Sequence, residues 1–390
     1  MNISHINCCG CGACAEVCPK NCIKLTHNNE GFLKAEIDAN LCINCGLCIK
    51  TCPTNTTENS NNTISAFQGY NNDEKVKSNS TSGGIFYEIA KSVILNDGVV
   101  YGAAYKNDLS IGHVRVDNIT DLVRLQGSKY AQSTVNKCYS DIKTDLEDGK
   151  TVLFSGTPCQ VAAVNNLFKS QFAAQLLTVD LICHGVPSQK LFTDYIKYIE
   201  KSKKSKIKSY QFRCKEKSTD FISYNTKIVF LKAKNPKTII IDGNEDPYVL
   251  RFLSNSLQND ICFECPFATE SRCSDITLGD FWGFEKAFPE KESIGKKGVS
   301  LILVNTPLGA DLLDNISNVT CEKIQRDDYI AYNSHLTKPA DKNKQRDILY
   351  NHYAKSGFTK TFYNKYFLPH KYKEYILKRR IWRLIKWIKK

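Results

Sequence analysis

The chain has 390 residues and a formal net charge of +13, and its 42% apolar and 24% charged residues are ordinary for a globular protein of two or three domains. Residues 360–390 carry a net charge of +10, so the remainder is nearly balanced, and general nucleic-acid binding is not indicated. The N-terminal sequence lacks a secretory signal and no apolar run could span a membrane, so the 18 cysteines are expected in a reducing cytoplasm.

Residues 1–53 contain the motif Cys-x2-Cys-x2-Cys-x3-Cys-Pro twice. The two copies are Cys8, Cys11, Cys14, Cys18 with Pro19, and Cys42, Cys45, Cys48, Cys52 with Pro53. In the bacterial ferredoxin run, three cysteines of each copy bind one 4Fe-4S cluster and the fourth binds the other. The spacing therefore predicts one cluster on Cys8, Cys11, Cys14 and Cys52, and a second on Cys42, Cys45, Cys48 and Cys18. Structural zinc and a disulfide scaffold are the alternatives. Zinc needs only four ligands and explains neither the spacing of the third cysteine nor the proline.

The rest of the chain divides by composition. Between the motifs, apolar residues alternate around Asn28-Asn29, which predicts a hairpin. Residues 54–65 are rich in Asn, Thr and Ser and are interpreted as a flexible linker. We expect an α/β or α+β body at residues 66–340 and a basic tail at 341–390.

Within the body, strands and helices alternate. Helices are predicted after residue 84, at 133–148, from 160 and at 188–201, and strands at 99–101, 151–155 and 176–182. Extended stretches near residues 207–213, 225–232 and 237–241 predict a β-rich second part. These patterns leave the order of the strands open.

Four cysteines of the body lie where α/β proteins place ligands. Cys159 follows a predicted strand, Cys183 ends another, and Cys262-x2-Cys265-Pro266 lies in a loop. Four thiolates suit either a third 4Fe-4S cluster or zinc, and the N-terminal module favours the cluster. Cys273 is a candidate substitute ligand. The remaining cysteines are interpreted as inert: Cys9, Cys22, Cys138, Cys214 and Cys321.

Three glycine-bearing stretches suit phosphate binding, at residues 80–84, 127–133 and 155–158. A Ser/Gly turn that opens a helix offers free N–H groups to an anion, and Lys129 would neutralise a diphosphate. A plain helix N-cap explains the Ser82-Gly83-Gly84 turn more often than a ligand does. The chain has no G-x-G-x-x-G after its first strand, so a Rossmann site is not supported.

Five motifs occur in one order: STSGGIFYEIA, GSKYAQS, SGTPCQVAAV, LICHGVPS and CFECPF…CSDITLGDFWG. With them, residues 1–335 resemble the coenzyme F-420 hydrogenase/dehydrogenase beta-subunit family with a fused N-terminal two-cluster ferredoxin. The resemblance implies FAD and a third 4Fe-4S cluster, held by Cys159, Cys183, Cys262 and Cys265. The family includes deazaflavin oxidoreductases and ferredoxin-dependent pigment reductases, and many bacterial members occur among polysaccharide-synthesis proteins.

The family's motifs also imply these FAD contacts: Ser82, Gly83, Gly84, Ser128, Lys129, Tyr130, Gln132, Gly156 and Thr157. Cys273 falls where the family usually has a non-ligand. Asp275 and Asp280 flank a short predicted strand and are candidates for orienting the flavin or moving protons, with a turn-capping role as the alternative. His184, next to Cys183, is a candidate proton donor, with a structural hydrogen bond as its alternative.

Residues 374–390 predict a basic amphipathic helix. Its apolar face and flanking tryptophans are Leu377, Ile381, Leu384, Ile385, Ile388, Trp382 and Trp387. This pattern is typical of a helix lying on anionic lipid, here at the inner face of the plasma membrane. The alternative is a helix docked on the body with a solvated basic face.

Together these patterns predict an iron–sulfur flavoprotein oxidoreductase that passes electrons between a ferredoxin, or a deazaflavin, and a substrate. The alternative is a non-catalytic electron-transfer subunit that supports an enzyme of polysaccharide biosynthesis. A redox or iron sensor is disfavoured, because it needs no flavin site and the sequence shows no DNA-reading element.

Overall fold

The computed structural model describes residues 7–55, 61–216, 225–231, 236–369, 374–378 and 381. The strands are β1 (Ile23–His27), β2 (Leu33–Ile37), β3 (Ser65–Asn71), β4 (Val99–Tyr105), β5 (Ile111–Val116), β6 (Val152–Gly156), β7 (Leu176–Leu181), β8 (Ile207–Cys214), β9 (Asn225–Phe230), β10 (Lys237–Asp242), β11 (Ile276–Asp280), β12 (Ser300–Val304) and β13 (Val319–Ile324). The helices are α1 (Ala13–Glu16), α2 (Leu47–Thr51), α3 (Glu74–Asn79), α4 (Ile85–Leu95), α5 (Tyr139–Glu147), α6 (Pro158–Val164), α7 (Gln189–Lys203), α8 (Pro247–Leu253), α9 (Phe284–Ala287), α10 (Glu292–Gly295), α11 (Pro307–Asp314), α12 (Arg326–Tyr329), α13 (Gln345–Ser356) and α14 (Lys360–Phe362).

The N-terminal module repeats one local structure in its two motifs. Gly12 and Gly46 follow the second cysteine of each motif with φ of +83° and +77°, and α1 and α2 begin immediately after them. Only glycine adopts such a φ without strain, so each cysteine loop can turn sharply into its helix. Between the motifs, β1 and β2 pair antiparallel and form the predicted hairpin.

An eight-stranded mixed sheet forms the centre of the body, in the order β13-β3-β12-β11-β7-β6-β4-β5. The four strands β4, β6, β7 and β11 are parallel, and the strands on either side of them are antiparallel additions. The carboxyl ends of the four parallel strands therefore meet at one edge of the sheet. Open α/β sheets bind their ligands at this edge.

Helices cover both faces of this sheet. On one face Val100 packs with Ile89 of α4, and on the other Tyr101 packs with Ile142 of α5 and Val161 of α6. Neighbouring residues of β4 thus point to opposite layers, as the alternation of a strand requires. The mixed α/β and α+β class expected from the sequence is what the structure shows.

A smaller antiparallel sheet, β8 to β10, packs beside the main one on an aromatic core. Phe192 of α7, Phe212 of β8 and Tyr248 of α8 lie with ring centroids 5.1 to 5.7 Å apart. Aromatic rings bury large apolar areas at these separations. This core joins the β-rich part to the end of the body where the parallel strands finish.

One predicted helix begins later than expected, and another begins where the sequence placed it. The helix expected at residues 133–148 begins at Tyr139, because the main chain of Thr134 instead bridges to β5. By contrast, the helix expected from Ser188 forms as α7, with the Ser188 side chain accepting a hydrogen bond from the N–H of Leu191.

The predicted amphipathic helix lies mostly outside the described residues. Residues 374–378 and 381 are helical, and Leu377 and Ile381 are exposed. Residues 56–60 of the predicted linker are also outside the described part. Among the helices that the structure describes, none combines the length and the apolar character needed to cross a membrane.

Candidate redox site

The two cysteine motifs form two groups of thiols. The pKa of Cys14 is raised to about 12, mainly by burial and to a smaller extent by the neighbouring thiols of Cys8 and Cys52. A space of about 30 Å³ is lined by the four ligands predicted for the second cluster, Cys18, Cys42, Cys45 and Cys48. The structure thus places Cys52 with the first motif and Cys18 with the second, which is the crossing expected of a two-cluster ferredoxin.

The four body cysteines converge from three loops. Cys159 lies in the first turn of α6, Cys183 follows β7, and Cys262 and Cys265 flank the end of a 3₁₀ turn at Asp260–Glu264. The pKa of Cys183 is raised to about 12 and that of Cys265 to about 11. In both cases burial is the larger cause and the neighbouring Cys159 thiol the next. Burial, and after it the neighbouring thiol of Cys183, also raises the pKa of Cys262 above its ordinary value. A bound metal centre would offset the cost of ionising these buried thiols.

The predicted sites fit iron–sulfur clusters because all of their ligand atoms are cysteine sulfurs. In the described residues, no three Cys, His, Asp or Glu side chains stand close enough to hold a single metal ion. The predicted ligands nevertheless form three sets of four thiols, and four cysteine thiolates are the usual ligands of a 4Fe-4S cluster. Cys273 lies beside the body set, but its thiol donates to the carbonyl of Pro158 at 3.3 Å.

Cys9 lies between the first motif and the body set. The thiol of Cys11 raises the pKa of Cys9, and the thiol of Cys9 raises the pKa of Cys159, because the three thiols are neighbours. The carbonyl of Cys9 accepts a hydrogen bond from Nε2 of Gln132 at 2.9 Å. The sequence interpretation of Cys9 as an inert thiol overlooked this position, which adjacency to Cys8 could have suggested.

Body side chains hold the module by its main chain. The Tyr139 hydroxyl donates to the carbonyl of Cys11 at 2.9 Å, and the Asn166 amide donates to the carbonyl of Thr51 at 3.2 Å. Arg346 of α13 is buried and forms an ion pair with Glu30 in the turn of the hairpin. These contacts hold the first motif, the hairpin turn and the end of α2 in the second motif on the body.

A cavity of about 590 Å³ opens at the carboxyl ends of the four parallel strands. Gly156 at the end of β6, Leu181 at the end of β7 and Asp280 at the end of β11 all line it. Cys9, Cys159 and Cys183 form part of its wall. The cavity therefore adjoins the body cysteines directly, and its volume is within the usual range of small-molecule and cofactor sites.

Eight of the nine residues implied as FAD contacts line this cavity: Ser82, Gly84, Ser128, Lys129, Tyr130, Gln132, Gly156 and Thr157. Gly83 lies outside the lining. Its N–H donates to Oγ of Ser300 at 3.0 Å, and a Cβ added there would come within 2.4 Å of the carbonyl oxygen of Gly69. The close approach of two backbone segments therefore explains this glycine.

Lys129 and Gln132 are held by protein groups within the wall. Nζ of Lys129 donates to the carbonyls of Leu125, Gln126 and Gly127 at 2.9 to 3.3 Å, and burial lowers its pKa to about 7. Oε1 of Gln132 accepts from the N–H of Leu33, while its Nε2 donates to Cys9. Lys129 thus stabilises the loop that resembles a phosphate-binding loop, and Gln132 connects the N-terminal module to this loop.

The first turn of α4 offers a site for an anion. Gly84 has φ of +89° and caps the helix, and Ile85, Phe86 and Tyr87 line the cavity as its first three residues. The first N–H groups of a helix have no partner within the helix and point along its axis. They would therefore receive a phosphate at this end of the cavity.

Asp280 and Asp275, the two aspartates considered for orienting the flavin or moving protons, lie in different surroundings. Asp280 lines the cavity and forms an ion pair with Arg213, whose guanidinium lies 5.7 Å from the centre of the Trp282 ring. Asp275 is buried and outside the lining, where it accepts hydrogen bonds from Thr178 at 2.7 and 2.8 Å. Asp275 therefore stabilises the sheet rather than facing the cavity.

His184 pairs with a residue that the sequence did not single out. Its Nδ1 lies 2.6 Å from Nε2 of His335, and both rings line the cavity. Burial, followed by the neighbouring His335, lowers the pKa of His184 to about 4. His335 belongs to a distant 3₁₀ turn, so no local motif could have revealed the pair.

Arg272 is a second residue that sequence reasoning missed. Its buried guanidinium donates to Oδ2 of Asp180 at 2.7 Å, to the carbonyl of Phe267 at 2.9 Å and to that of Leu181 at 3.1 Å. These bonds tie the loop after Cys265 to the strand before Cys183. Arg272 thereby holds two cysteine-bearing loops in one position.

Comparison with protein families assigns both parts of this arrangement. Residues 149–328 match the family model for the C terminus of the coenzyme F420 hydrogenase/dehydrogenase beta subunit, and residues 7–56 match the 4Fe-4S dicluster domain. The chain belongs to the coenzyme F420 hydrogenase/dehydrogenase beta-subunit family and carries a fused ferredoxin domain. Membership of this family makes it an iron–sulfur protein of redox electron transfer.

Among solved structures, a chain of the F420-reducing [NiFe] hydrogenase complex from Methanosarcina barkeri is similar at 15% identity and a TM-score of 0.44. The similarity covers 77% of this chain and 90% of that chain. No curated protein matches the sequence.

Proposed function

We propose that this chain is an iron–sulfur flavoprotein oxidoreductase that passes electrons between a ferredoxin, or a deazaflavin, and a substrate. One observation carries the proposal. The cavity at the carboxyl ends of the parallel strands is lined both by cysteines of the body set and by the glycine- and serine-rich loops. A cofactor bound there would lie beside the cysteine-bound cluster.

The three thiol groups support an electron route in a fixed order. The second-motif group is the most exposed, the first-motif group follows it within the module, and Cys9 joins the first motif to Cys159. Three 4Fe-4S clusters on these ligands would carry single electrons from the surface to the cavity. The family membership supports this use of the N-terminal domain.

FAD is the cofactor that suits the cavity. The first turn of α4 and the loop at residues 126–132 supply N–H groups and serines for a diphosphate, and Arg213 adds a cation in the wall. Tyr130 and Trp282 present aromatic surface in the same cavity. When bound, the flavin would combine single-electron steps into two-electron chemistry on a substrate.

His184 and Asp280 are the residues of this chain best placed to handle a proton. Both line the cavity, and each has a partner that fixes its position, His335 for the imidazole and Arg213 for the carboxylate. The low pKa of His184 keeps its ring neutral near pH 7, so the ring is a weak base there and carries one N–H that can donate a hydrogen bond. Asp275 has no such access.

The experiment is anaerobic reduction of the purified chain by a reduced bacterial two-cluster ferredoxin. We expect the flavin absorbance to bleach as two ferredoxin electrons are consumed per flavin, because one flavin accepts two electrons and two protons. Cys273→Ala should behave as the natural chain does, since that thiol is outside the four-cysteine set. A flavin-free chain, or a flavin that the ferredoxin cannot reduce, would overturn the proposal.

A further inference from the structure

The two cysteine motifs of the N-terminal module are related by an offset of 34 positions. With this offset Cys9 corresponds to Ile43, and Ala13 corresponds to Leu47. The correspondence extends to structure, because α1 and α2 each begin after a glycine of positive φ at matching positions. Each motif therefore presents an equivalent face beside its cysteines.

In the first motif this face is an interface. Ala13 is buried with Ala163 of α6, and Cys9 packs beside them. The thiol of Cys9 also lies beside that of Cys159, and the Tyr139 hydroxyl donates a hydrogen bond to the carbonyl of Cys11. The first motif thus uses this face to approach the cysteine set of another redox centre.

In the second motif the equivalent face is exposed and apolar. Ile43 and Leu47 are 56% and 43% exposed, and Leu41 beside them is 55% exposed. Cys45, between these side chains in the sequence, is the one exposed cysteine among the described residues. Three large aliphatic side chains around an exposed metal ligand are unusual on a solvated surface and are typical of an interaction site.

We propose that the face formed by Leu41, Ile43 and Leu47 docks a small protein that carries one electron at a time on its own iron–sulfur cluster. The inference rests on the proposed function and adds to it the surface where the partner binds. The occupant follows from the repeat, because the same face of the first motif packs against a cysteine set that holds a cluster. Lys20 and Lys50 are exposed near this face and favour an acidic carrier.

The transfer at this face involves one electron and no proton. The reduced carrier loses one electron, and the cluster held by the second motif gains it. Apolar contact around Cys45 would exclude water and shorten the gap between the two centres. The partly exposed position of this motif, compared with the buried Cys8, Cys11 and Cys14, is what such an entry point needs.

The test is the binding of a bacterial two-cluster ferredoxin to the anaerobically purified full chain, measured by calorimetry. Ile43→Glu combined with Leu47→Glu should weaken binding by about tenfold or more, because it removes apolar contact and repels an acidic carrier. Leu95→Glu is the matched control, since Leu95 is 62% exposed at the end of α4 in the body, and its binding should stay within about twofold.

Iron content separates this inference from the proposed function. All three proteins should contain the same iron and be reduced equally by dithionite. Unchanged ferredoxin binding in the double variant would overturn the docking surface while leaving the proposed function intact. Absence of binding by the natural chain would also overturn the docking surface. If the double variant instead converted a dimer into monomers without affecting ferredoxin binding, the face would belong to a second copy and the inference would be wrong.

Discussion

The thiol of Cys9 lies beside the thiol of Cys159 across the boundary between the ferredoxin domain and the body. The thiol of Cys9 also lies beside that of Cys11, so a single side chain neighbours a predicted ligand of each of two clusters. Neither relationship follows from the spacing of the motifs. It would make the predicted first-motif cluster, rather than the second, the neighbour of the proposed body cluster.

The first prediction concerns the reduction potential of the body cluster. Cys9→Ala removes a thiol that can donate a hydrogen bond to the neighbouring sulfur of Cys159, and such bonds stabilise the more negative, reduced state. A net loss of about 0.5–1.5 kcal/mol would lower the midpoint potential by about 20–60 mV. Redox titration followed by electron paramagnetic resonance measures this, with Cys321→Ala as the control. A potential unchanged by Cys9→Ala would show that the Cys9 thiol does not tune the cluster.

The second prediction concerns the ligands of the third cluster. Cys183→Ser should remove one cluster, lowering the iron content from about twelve to about eight atoms per chain. Cys273→Ala should retain all of the iron, because its thiol donates to the carbonyl of Pro158. Iron analysis of the anaerobically purified variants decides between them. The reverse outcome would exchange the roles of these two cysteines.

A third prediction follows from the buried pair of Arg272 and Asp180. Arg272→Met leaves the Asp180 carboxylate buried beside the cysteine loops without its cation, which should cost about 3–5 kcal/mol of unfolding free energy. Adding Asp180→Asn should recover much of the loss, because the uncompensated charge is then absent. Urea unfolding under anaerobic conditions provides the measurement. Equal losses in the single and double variants would mean that Arg272 acts through its carbonyl contacts alone.

The fourth prediction is a pH dependence set by His113. Its Nε2 lies 2.9 Å from the carbonyl of Ser155 and must donate there, so Nδ1 accepts from the hydroxyl of Ser133. Burial lowers the pKa of His113 to about 4, whereas an unfolded histidine titrates near 6.5. The unfolded state therefore binds more protons between these values, and stability falls as the pH drops through that window.

At pH 5 this term should cost about 2 kcal/mol relative to neutral pH. His113→Gln removes the titrating group, so its unfolding midpoint in urea should fall less between pH 7.5 and pH 5 than that of the natural chain. Equal pH dependence in the two proteins would assign the acid sensitivity to other groups.

Sequence spacing was sufficient for the parts whose geometry is local. The cysteine motifs predicted their own crossed grouping, and Ser188 predicted the start of α7. The order of the central sheet was out of reach, because β3 pairs with β12 and β13 from the other end of the body. Such pairings depend on long-range packing and leave no local pattern.

The sequence predicted which loops form the candidate site, but it did not predict what each side chain in those loops contacts. Gly83 and Gln132 belong to stretches that resemble phosphate loops, yet the first serves backbone packing and the second ties the ferredoxin domain to the body. Arg213 and His335 come from elements far from any motif, so only the folded chain brings them to the cavity. Glycine and glutamine have several structural uses, and sequence alone does not distinguish them.

The proposed function requires that one chain carry three clusters, with a flavin in the cavity beside the third. Iron, sulfide and flavin analysis of the anaerobically purified chain is therefore the decisive measurement. We expect about twelve irons and about one flavin per chain, with the flavin released on denaturation as FAD. A chain with about eight irons and no flavin would contain only the ferredoxin clusters and would contradict the proposed function.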